Sequence, residues 1–160
     1  MTQSTGTELV VDLDGGPGVF KSINDAVNAA HDGAVIRVRP GVYREKVVID
    51  HRLILIGERR AGGQVPPPGH DGSAVISGGG AGDVVIVKAD GVVITGLVIT
   101  GSGSRLENND AGIKVQSRGS IIEGNLLENN AFGIYLEAGG SNTVKGNRIR
   151  GQSHLERSQR

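Results

Sequence analysis

The sequence predicts an all-β fold, a solenoid in which short strands stack coil upon coil. The segment GIKV at 112–115 recurs 21 residues later as GIYL at 133–136, and Gly124-Asn125 recurs 22 residues later as Gly146-Asn147. Between these markers apolar residues alternate with other residues, which is the period of a strand with one buried face. The 160-residue chain also has 27 Gly but only 2 Phe and 2 Tyr. This composition indicates many tight turns around an aliphatic core.

The same repeat extends toward the N-terminus. Segment 92–101 (VVITGLVITG) aligns with 120–129 (SIIEGNLLEN), so that Gly96 corresponds to Gly124, and residues 46–57 repeat the pattern one coil earlier. Three short strands per coil bury nothing alone, but stacked coils enclose one aliphatic column between parallel sheets. We therefore expect a solenoid of about four to six coils.

Asn125 and Asn147 follow the marker glycines. In stacked coils they lie one above the other at an inward corner, where side-chain amides can bond along the stack and satisfy the backbone groups of the turn. The pattern predicts an asparagine ladder at this corner.

A short amphipathic helix is predicted near 22–30, because Ile23, Ala26, Val27 and Ala30 lie on one helical face. It precedes IRVRPGVYRE at 36–45. These features and the GI-x-L and G-N repeats resemble the right-handed parallel β-helix family, the pectate-lyase-like superfamily, over roughly residues 8–151. The resemblance implies a right-handed parallel β-helix whose N-terminal helix caps strand edges and core that are otherwise exposed.

We expect one β-helix domain over residues 1–151 and a polar tail or linker over 152–160. Two loops, 58–73 and 101–111, interrupt the repeat. No amphipathic helix follows the last coil. That end is therefore expected to be covered by another protomer, by coils of a longer parent protein, or by the tail.

Charge and composition exclude several classes of function. Seventeen basic residues balance seventeen acidic ones, and the chain has no cysteine. We therefore expect neither nucleic acid nor a membrane as a partner, no disulfide and no thiolate chemistry. The N-terminus has no basic segment followed by an apolar one, which predicts a cytoplasmic protein. We predict no cofactor and no metal.

Enzymes of the superfamily act on polysaccharides through clustered carboxylates, and the resemblance makes such clusters the first site to consider. Their N-T-D, G-H-G and D-P-H-E motifs are absent from this sequence. The outward positions of the Gly-Ile strands instead form two mixed rows, in which acids, lysines and amides alternate rather than forming a calcium cage. The rows are Val48, Ile86, Lys114 and Tyr135, and Asp50, Lys88, Gln116 and Glu137. We predict no catalytic residue.

The two inserted loops hold the candidate binding residues, because insertions on one side of a solenoid often form its binding site. Tolerated surface insertions are the alternative. Zinc bound by His51, His70 and Asp71 is disfavoured, since the residues lack a metal-ligand spacing. The predicted ligand-binding residues are Arg59, Arg60, His70, Asp71, Arg105, Asn109 and Asp110.

Two further rows of apolar residues are predicted on the outside of the solenoid. Such patches are either ordinary sheet surface or are covered by a partner or a tail. The rows are Ile54, Val93 and Ile121 followed by Thr143, and Val75, Val98 and Leu126 followed by Arg148.

Two functional hypotheses follow. The first is a non-catalytic module that binds protein or carbohydrate ligands, for example as a sensing or scaffolding domain of a larger protein. Its protein partner, or a second protomer, would contact a solenoid end or an outer sheet. The second is a small polysaccharide-active enzyme, a lyase, hydrolase or epimerase. The missing catalytic motifs favour the first.

Overall fold

The computed structural model describes residues 7–59 and 72–152 and shows three parallel sheets wound around one core. The first sheet contains, in spatial order, β1 (Glu8–Val11), β2 (Ala34–Val38), β5 (Leu53–Gly57), β8 (Val93–Thr95), β11 (Ile121–Glu123) and β14 (Thr143–Lys145). The second sheet contains β3 (Gly41–Arg44), β6 (Ala74–Ser77), β9 (Val98–Thr100), β12 (Leu126–Asn130) and β15 (Arg148–Gly151). The third sheet contains β4 (Val47–Ile49), β7 (Val85–Val87), β10 (Ala111–Val115) and β13 (Phe132–Leu136).

The chain visits the three sheets in rotation. Strands β2–β4, β5–β7, β8–β10 and β11–β13 make four complete coils within the described residues, and β14 and β15 begin another. Each strand pairs in parallel with its counterpart one coil away. The predicted parallel β-helix is therefore confirmed.

The strand register reproduces the sequence repeat. Ile113 pairs with Ile134 across β10 and β13, a shift of one 21-residue repeat. Ile122 pairs with Val144 across β11 and β14, a shift of 22. The extra residue is accommodated in the turn between β13 and β14, where Ser141 has a φ of 58°.

The core is an aliphatic column of stacked inward rows. One row is formed by Ile36, Leu55, Ile94 and Ile122, all of them buried and each at the same position of its strand. Tyr43 is the one aromatic residue among the largest fully buried side chains, and its hydroxyl donates to Arg39 O at 2.8 Å.

A short helix, α1 (Ile23–Ala29), closes the N-terminal end, as predicted. Its Ser22 hydroxyl accepts from Asp25 N at 3.0 Å, the usual geometry of a serine N-cap. Ile23, Ala26 and Val27 are buried against the core. Among the described residues, this chain has no helix with the length and apolarity that crossing a membrane requires.

The asparagine ladder predicted at the corner between the first and second sheets is present. Asn147 Oδ1 accepts from Asn125 N and Asn125 Nδ2, both at 3.0 Å, and Asn125 Oδ1 accepts from Leu97 N at 3.0 Å. Asn125 is completely buried. Each amide thus satisfies backbone or side-chain groups of the neighbouring coil.

The other two corners carry ladders that the sequence did not indicate. Between the third and first sheets, Ser120 Oγ accepts from Val92 N at 3.3 Å and Asn142 Oδ1 accepts from Ser120 N at 2.9 Å. Between the second and third sheets, Asn130 Oδ1 accepts from Ser102 N at 3.0 Å. All three corners are therefore held by polar side chains that bond along the stack.

The two outer apolar rows differ in exposure. Ile54, Val93 and Ile121 are half-buried on the outside of the first sheet. Outside the second sheet, the row is covered rather than open: Val75, Val98 and Leu126 form a cluster separate from the core and are almost completely buried within the chain itself. This second row is not available to a partner.

The last described strand of each sheet leaves a core-row side chain exposed. Leu136, Val144 and Ile149 continue the inward rows of the three sheets, yet their exposed fractions are 51%, 40% and 51%. The corresponding residues one coil earlier, Val115, Ile122 and Leu127, are buried.

Candidate functional site

A polar cleft follows the corner where the second sheet passes into the third. Its volume is about 460 Å³. Four successive coils contribute to it, because the lining residues lie at or just after the ends of β6, β9, β12 and β15. The lining residues are Ser77, Gly79, Gly80, Gly101, Ser102, Ser104, Asn129 and Gln152.

Glycines form the floor of this cleft because the chain turns sharply there. Gly79 and Gly80 have φ angles of 81° and 86°, in the left-handed region that favours glycine. Gly80 N donates to Gly101 O at 2.8 Å, which ties this turn to the next coil. A Cβ added at either glycine would meet no atom within 4 Å, so the space above them is open.

Ser102 fixes the wall of the cleft. Its hydroxyl donates to Gly103 O at 2.7 Å and accepts from Ala131 N at 2.9 Å. The side chain is buried and both of its hydrogen bonds are internal, so it holds the inserted loop against the next coil. Ser104, two residues further along the chain, is exposed.

Gln152 closes one end of the cleft. Its Nε2 donates to Gly103 O at 3.4 Å and to Asn129 O at 3.3 Å. The residue is only 4% exposed, and its Oε1 has no hydrogen-bond partner among the described residues. A buried acceptor without a donor is rare in folded proteins.

A smaller cleft of about 140 Å³ continues from the opposite end. Ser77 and Gly79 line both clefts, so the two form one continuous surface, which we call the corner groove. The smaller cleft adds Arg44, Glu45 and Lys46. Arg44 and Lys46 are exposed, and neither forms an ion pair with another described residue.

The single negative charge of Glu45 offsets only one of these two positive charges, and its carboxylate is also hydrogen-bonded at the start of α1. Its two oxygens accept from Ile23 N and Asn24 N, both at 2.9 Å, and one of them also accepts from Asn24 Nδ2 at 3.0 Å. This end of the corner groove is therefore positive, whereas the end near Gln152 is lined by uncharged groups.

Among the predicted binding residues that the structure describes, none lines the corner groove. Arg59 is half-buried and forms an antiparallel bridge with Ser73. Arg105 is exposed, at the start of a 3-10 helix (Leu106–Asn108), and Asn109 ends that helix with a φ of 56°. Arg60, His70 and Asp71 lie outside the described residues. A binding role for these residues remains a prediction.

Asp110 stabilises the second inserted loop. Its Oδ2 accepts from Arg105 N at 3.1 Å, and its backbone oxygen accepts from Phe132 N at 2.9 Å. The residue is buried, so the carboxylate closes the inserted loop rather than facing solvent.

The outward face of the third sheet carries paired polar groups, although the ion-pair partner of Lys114 is Asp83, which lies outside the two predicted rows. Lys114 Nζ lies 3.0 Å from Asp83 Oδ2 and 5.8 Å from the centre of the Tyr135 ring. Gln116 Nε2 donates to Glu137 Oε2 at 3.2 Å. Within residues 7–59 and 72–152, no three His, Cys, Asp or Glu side chains gather in a way that could hold a metal ion.

No direct sequence signal marks the corner groove. Gly78-Gly79-Gly80 was readable as a turn, but only the strand register places it beside Ser102 and Ser104 of the inserted loop. Gln152 was assigned to the polar tail, whereas its side chain is buried against the third coil.

Comparison with known proteins agrees with this architecture. The family described as "Right handed beta helix region" matches residues 73–155, just over half of the chain. The chain belongs to the right-handed β-helix family. Among curated proteins, this β-helix is 32% identical over 92 residues to the "Probable ABC transporter binding protein NosD" of Pseudomonas aeruginosa. The match covers 56% of the chain but only 22% of that protein.

Solved structures of pectin methylesterases share the fold of this β-helix. A pectin methylesterase in complex with a hexasaccharide superposes with a TM-score of 0.63 at 20% identity, covering 92% of this chain and 50% of the enzyme. The Aspergillus niger enzyme gives 0.61 at 18% identity, covering 94% and 52%. The Erwinia chrysanthemi enzyme gives 0.61 at 19% identity, covering 92% and 50%. The chain spans about half the length of these enzymes, and the likeness is one of fold alone.

Proposed function

We propose that this β-helix is a non-catalytic module that binds a carbohydrate chain along the corner groove. The observation that carries the proposal is the groove itself, a continuous polar surface built by successive coils and free of any unengaged carboxylate among its lining residues. A groove that runs across coils suits an extended polymer better than a compact ligand.

The lining chemistry supports a carbohydrate. Hydroxyls of Ser77 and Ser104, the Asn129 amide and the backbone of the glycine turns offer the mixed donors and acceptors that sugar hydroxyls require. Arg44 and Lys46 offer donors to an acidic group at the other end. Pectin methylesterases, which share this fold, have been crystallised in complex with hexasaccharides.

The absence of paired carboxylates in the corner groove supports a binding role over hydrolysis. Glycoside hydrolysis places two carboxyl groups on either side of the scissile bond. Glu45 is held by the helix start and Asp110 by its own loop, and Asp83 accepts from Ala111 N at 2.9 Å besides pairing with Lys114. The alternative, a small polysaccharide-active enzyme, requires paired carboxylates, which the described lining residues of this groove do not supply.

Binding is tested with a panel of neutral and acidic oligosaccharides measured by calorimetry. Asn129 has a φ of 57°, so Asn129→Gly removes the amide without straining the backbone. We expect this variant to weaken binding about three- to tenfold. Ser141→Gly, at a φ of 58° in a turn away from the corner groove, is the matched control and should bind like the wild type. Equal affinities for all three proteins would place the ligand elsewhere.

Turnover is tested separately on polygalacturonate, pectin and alginate. We expect no unsaturated product, no new reducing ends and no released methanol, with or without calcium. Activity that disappears in Asp71→Ala or Asp110→Ala would reverse the proposal and locate a catalytic site in the two inserted loops.

A second interaction is favoured by the exposed core rows of the last described coil. We propose that another protein surface, a second copy of this chain in the simplest case, covers Leu136, Val144 and Ile149. Apolar side chains at the open end of a solenoid are stabilised by any partner that continues the stack. A binding module that scaffolds a cytoplasmic assembly is consistent with both surfaces.

A further inference from the structure

We propose that the Gln152 end of the corner groove is a subsite for an uncharged hydrogen-bond donor, a hydroxyl of a neutral sugar unit. This inference rests on the proposed carbohydrate binding and specifies which part of the groove selects the ligand.

The orientation of the Gln152 amide is fixed by its neighbours. The two atoms that face its nitrogen, Gly103 O and Asn129 O, are backbone carbonyl oxygens and can only accept. The amide must therefore present its NH₂ group to them, because the reversed orientation would place an oxygen against two oxygens. Oε1 is consequently the atom that can accept a hydrogen bond from another group.

The unpaired Oε1 atom of Gln152 indicates which kind of ligand group would bind there. Gln152 Oε1 is buried and has no donor among the described residues, although the side chain lines the cleft. Leaving a buried acceptor unsatisfied costs free energy, which a bound donor would recover. Hydroxyl groups are donors that a saccharide supplies at every unit.

The surroundings select against a charged sugar at this position. The other side chains at this end, Ser102, Ser104 and Asn129, are neutral. The carbonyl oxygens of Gly103 and Asn129 already face the amide, and together with Oε1 they would repel a carboxylate. Arg44 and Lys46 lie in the adjoining smaller cleft, so an acidic unit would bind at the opposite end.

The test is a cycle that changes both the protein and the ligand. Neutral hexamers of glucose, galactose, mannose and xylose are screened first, and the tightest binder is compared with its monodeoxy analogues. We expect one deoxy position to weaken wild-type binding about three- to tenfold. The same deoxy position should not weaken binding to Gln152→Met, because the acceptor is gone.

A purely structural role for Gln152 would lower the melting midpoint of Gln152→Met but would leave the penalty for the deoxy position unchanged, and that result would overturn the inference. If the variant does not fold, a crystal structure of the wild type with the hexamer decides, since no ligand hydroxyl within hydrogen-bond distance of Oε1 would also overturn it. Binding of acidic hexamers alone would refute this subsite and leave the proposed function intact. Failure of every oligosaccharide would refute both.

Discussion

At the scale of single residues, the corners of this β-helix are held by polar side chains that take the place of missing backbone partners. Asn125 illustrates the arrangement: its Oδ1 accepts from Leu97 N while its Nδ2 donates to Ile94 O at 3.0 Å. Where the chain turns between sheets, strand pairing stops and buried backbone groups need other partners. A side-chain amide supplies both a donor and an acceptor at that point.

The asparagine ladder predicts that Asn125→Leu destabilises the fold by about 1–3 kcal/mol, because Leu97 N and Ile94 O lose their partners in a buried site. Urea unfolding measures the change in the free energy of unfolding. Asn147→Leu is the matched control, with a smaller expected loss, since Asn147 is only half-buried. An unchanged unfolding midpoint for Asn125→Leu would contradict the ladder's contribution.

Tyr43 predicts a stability change at alkaline pH. Burial raises the pKa of its phenol from 10.0 to about 12, with a further contribution from the negative charge of Asp12. Since the folded-state pKa is the higher one, the stabilisation is complete below about pH 10 and is lost as the pH rises toward about 12. Unfolding of the wild type and of Tyr43→Phe should therefore differ in pH dependence across this window. Parallel curves would show that the phenol ionises equally in both states.

At the scale of elements, neighbouring coils approach so closely at one corner that only glycine fits. Gly57 ends β5 beside Gly96, which follows β8, and a Cβ built on Gly57 would collide with the carbonyl oxygen of Gly96. Gly57 and Gly96 thus permit close stacking of these two coils, and the positive φ of Gly96 also turns the chain.

We expect Gly57→Ala to cost about 1–3 kcal/mol, because the two coils must move apart to admit a methyl group. Gly140→Ala is the control: this glycine has ordinary backbone angles, and its Cβ would meet no atom within 4 Å. Chemical denaturation should show a change within about 0.5 kcal/mol for the control. A similar loss in both variants would mean that the close approach of the coils does not set the cost, since Gly→Ala at an unstrained position stabilises through the unfolded chain.

At the scale of the whole molecule, the two ends of the solenoid are unequal. Helix α1 covers the core at the N-terminal end, whereas the last described coil exposes Leu136, Val144 and Ile149. Elsewhere in the described coils the same inward rows are buried, except that Leu9 in β1 is half-buried. An open end of this kind favours association.

Association through the last coil predicts that Ile149→Asp shifts the protein toward monomer, because a charge in the contact is costly to desolvate. Sedimentation velocity over a range of protein concentrations measures the distribution. Val48→Asp is the control, since Val48 is equally apolar and 39% exposed but lies on the outside of the third sheet. A wild type that remains monomeric at every concentration would rule out a second copy as the partner.

The sequence by itself determined the stacked coils, the N-terminal helix and the asparagine corner. The coils and the asparagine corner repeat in the chain: each coil has the same apolar alternation, and Gly124-Asn125 recurs as Gly146-Asn147, so local pattern and global fold agree. A repeated sequence pattern predicts the fold by itself, because each repeat contacts mainly its neighbours.

Only the tertiary structure decided which polar groups meet. The corner groove joins Ser77, Ser104 and Gln152 from separate coils, and no spacing in the chain marks their proximity. Burial of the Val75, Val98 and Leu126 row was likewise invisible, because alternation tells which face a residue occupies but not what covers that face. Function in a solenoid depends on such non-repeating contacts, whereas its fold depends on the repeating ones.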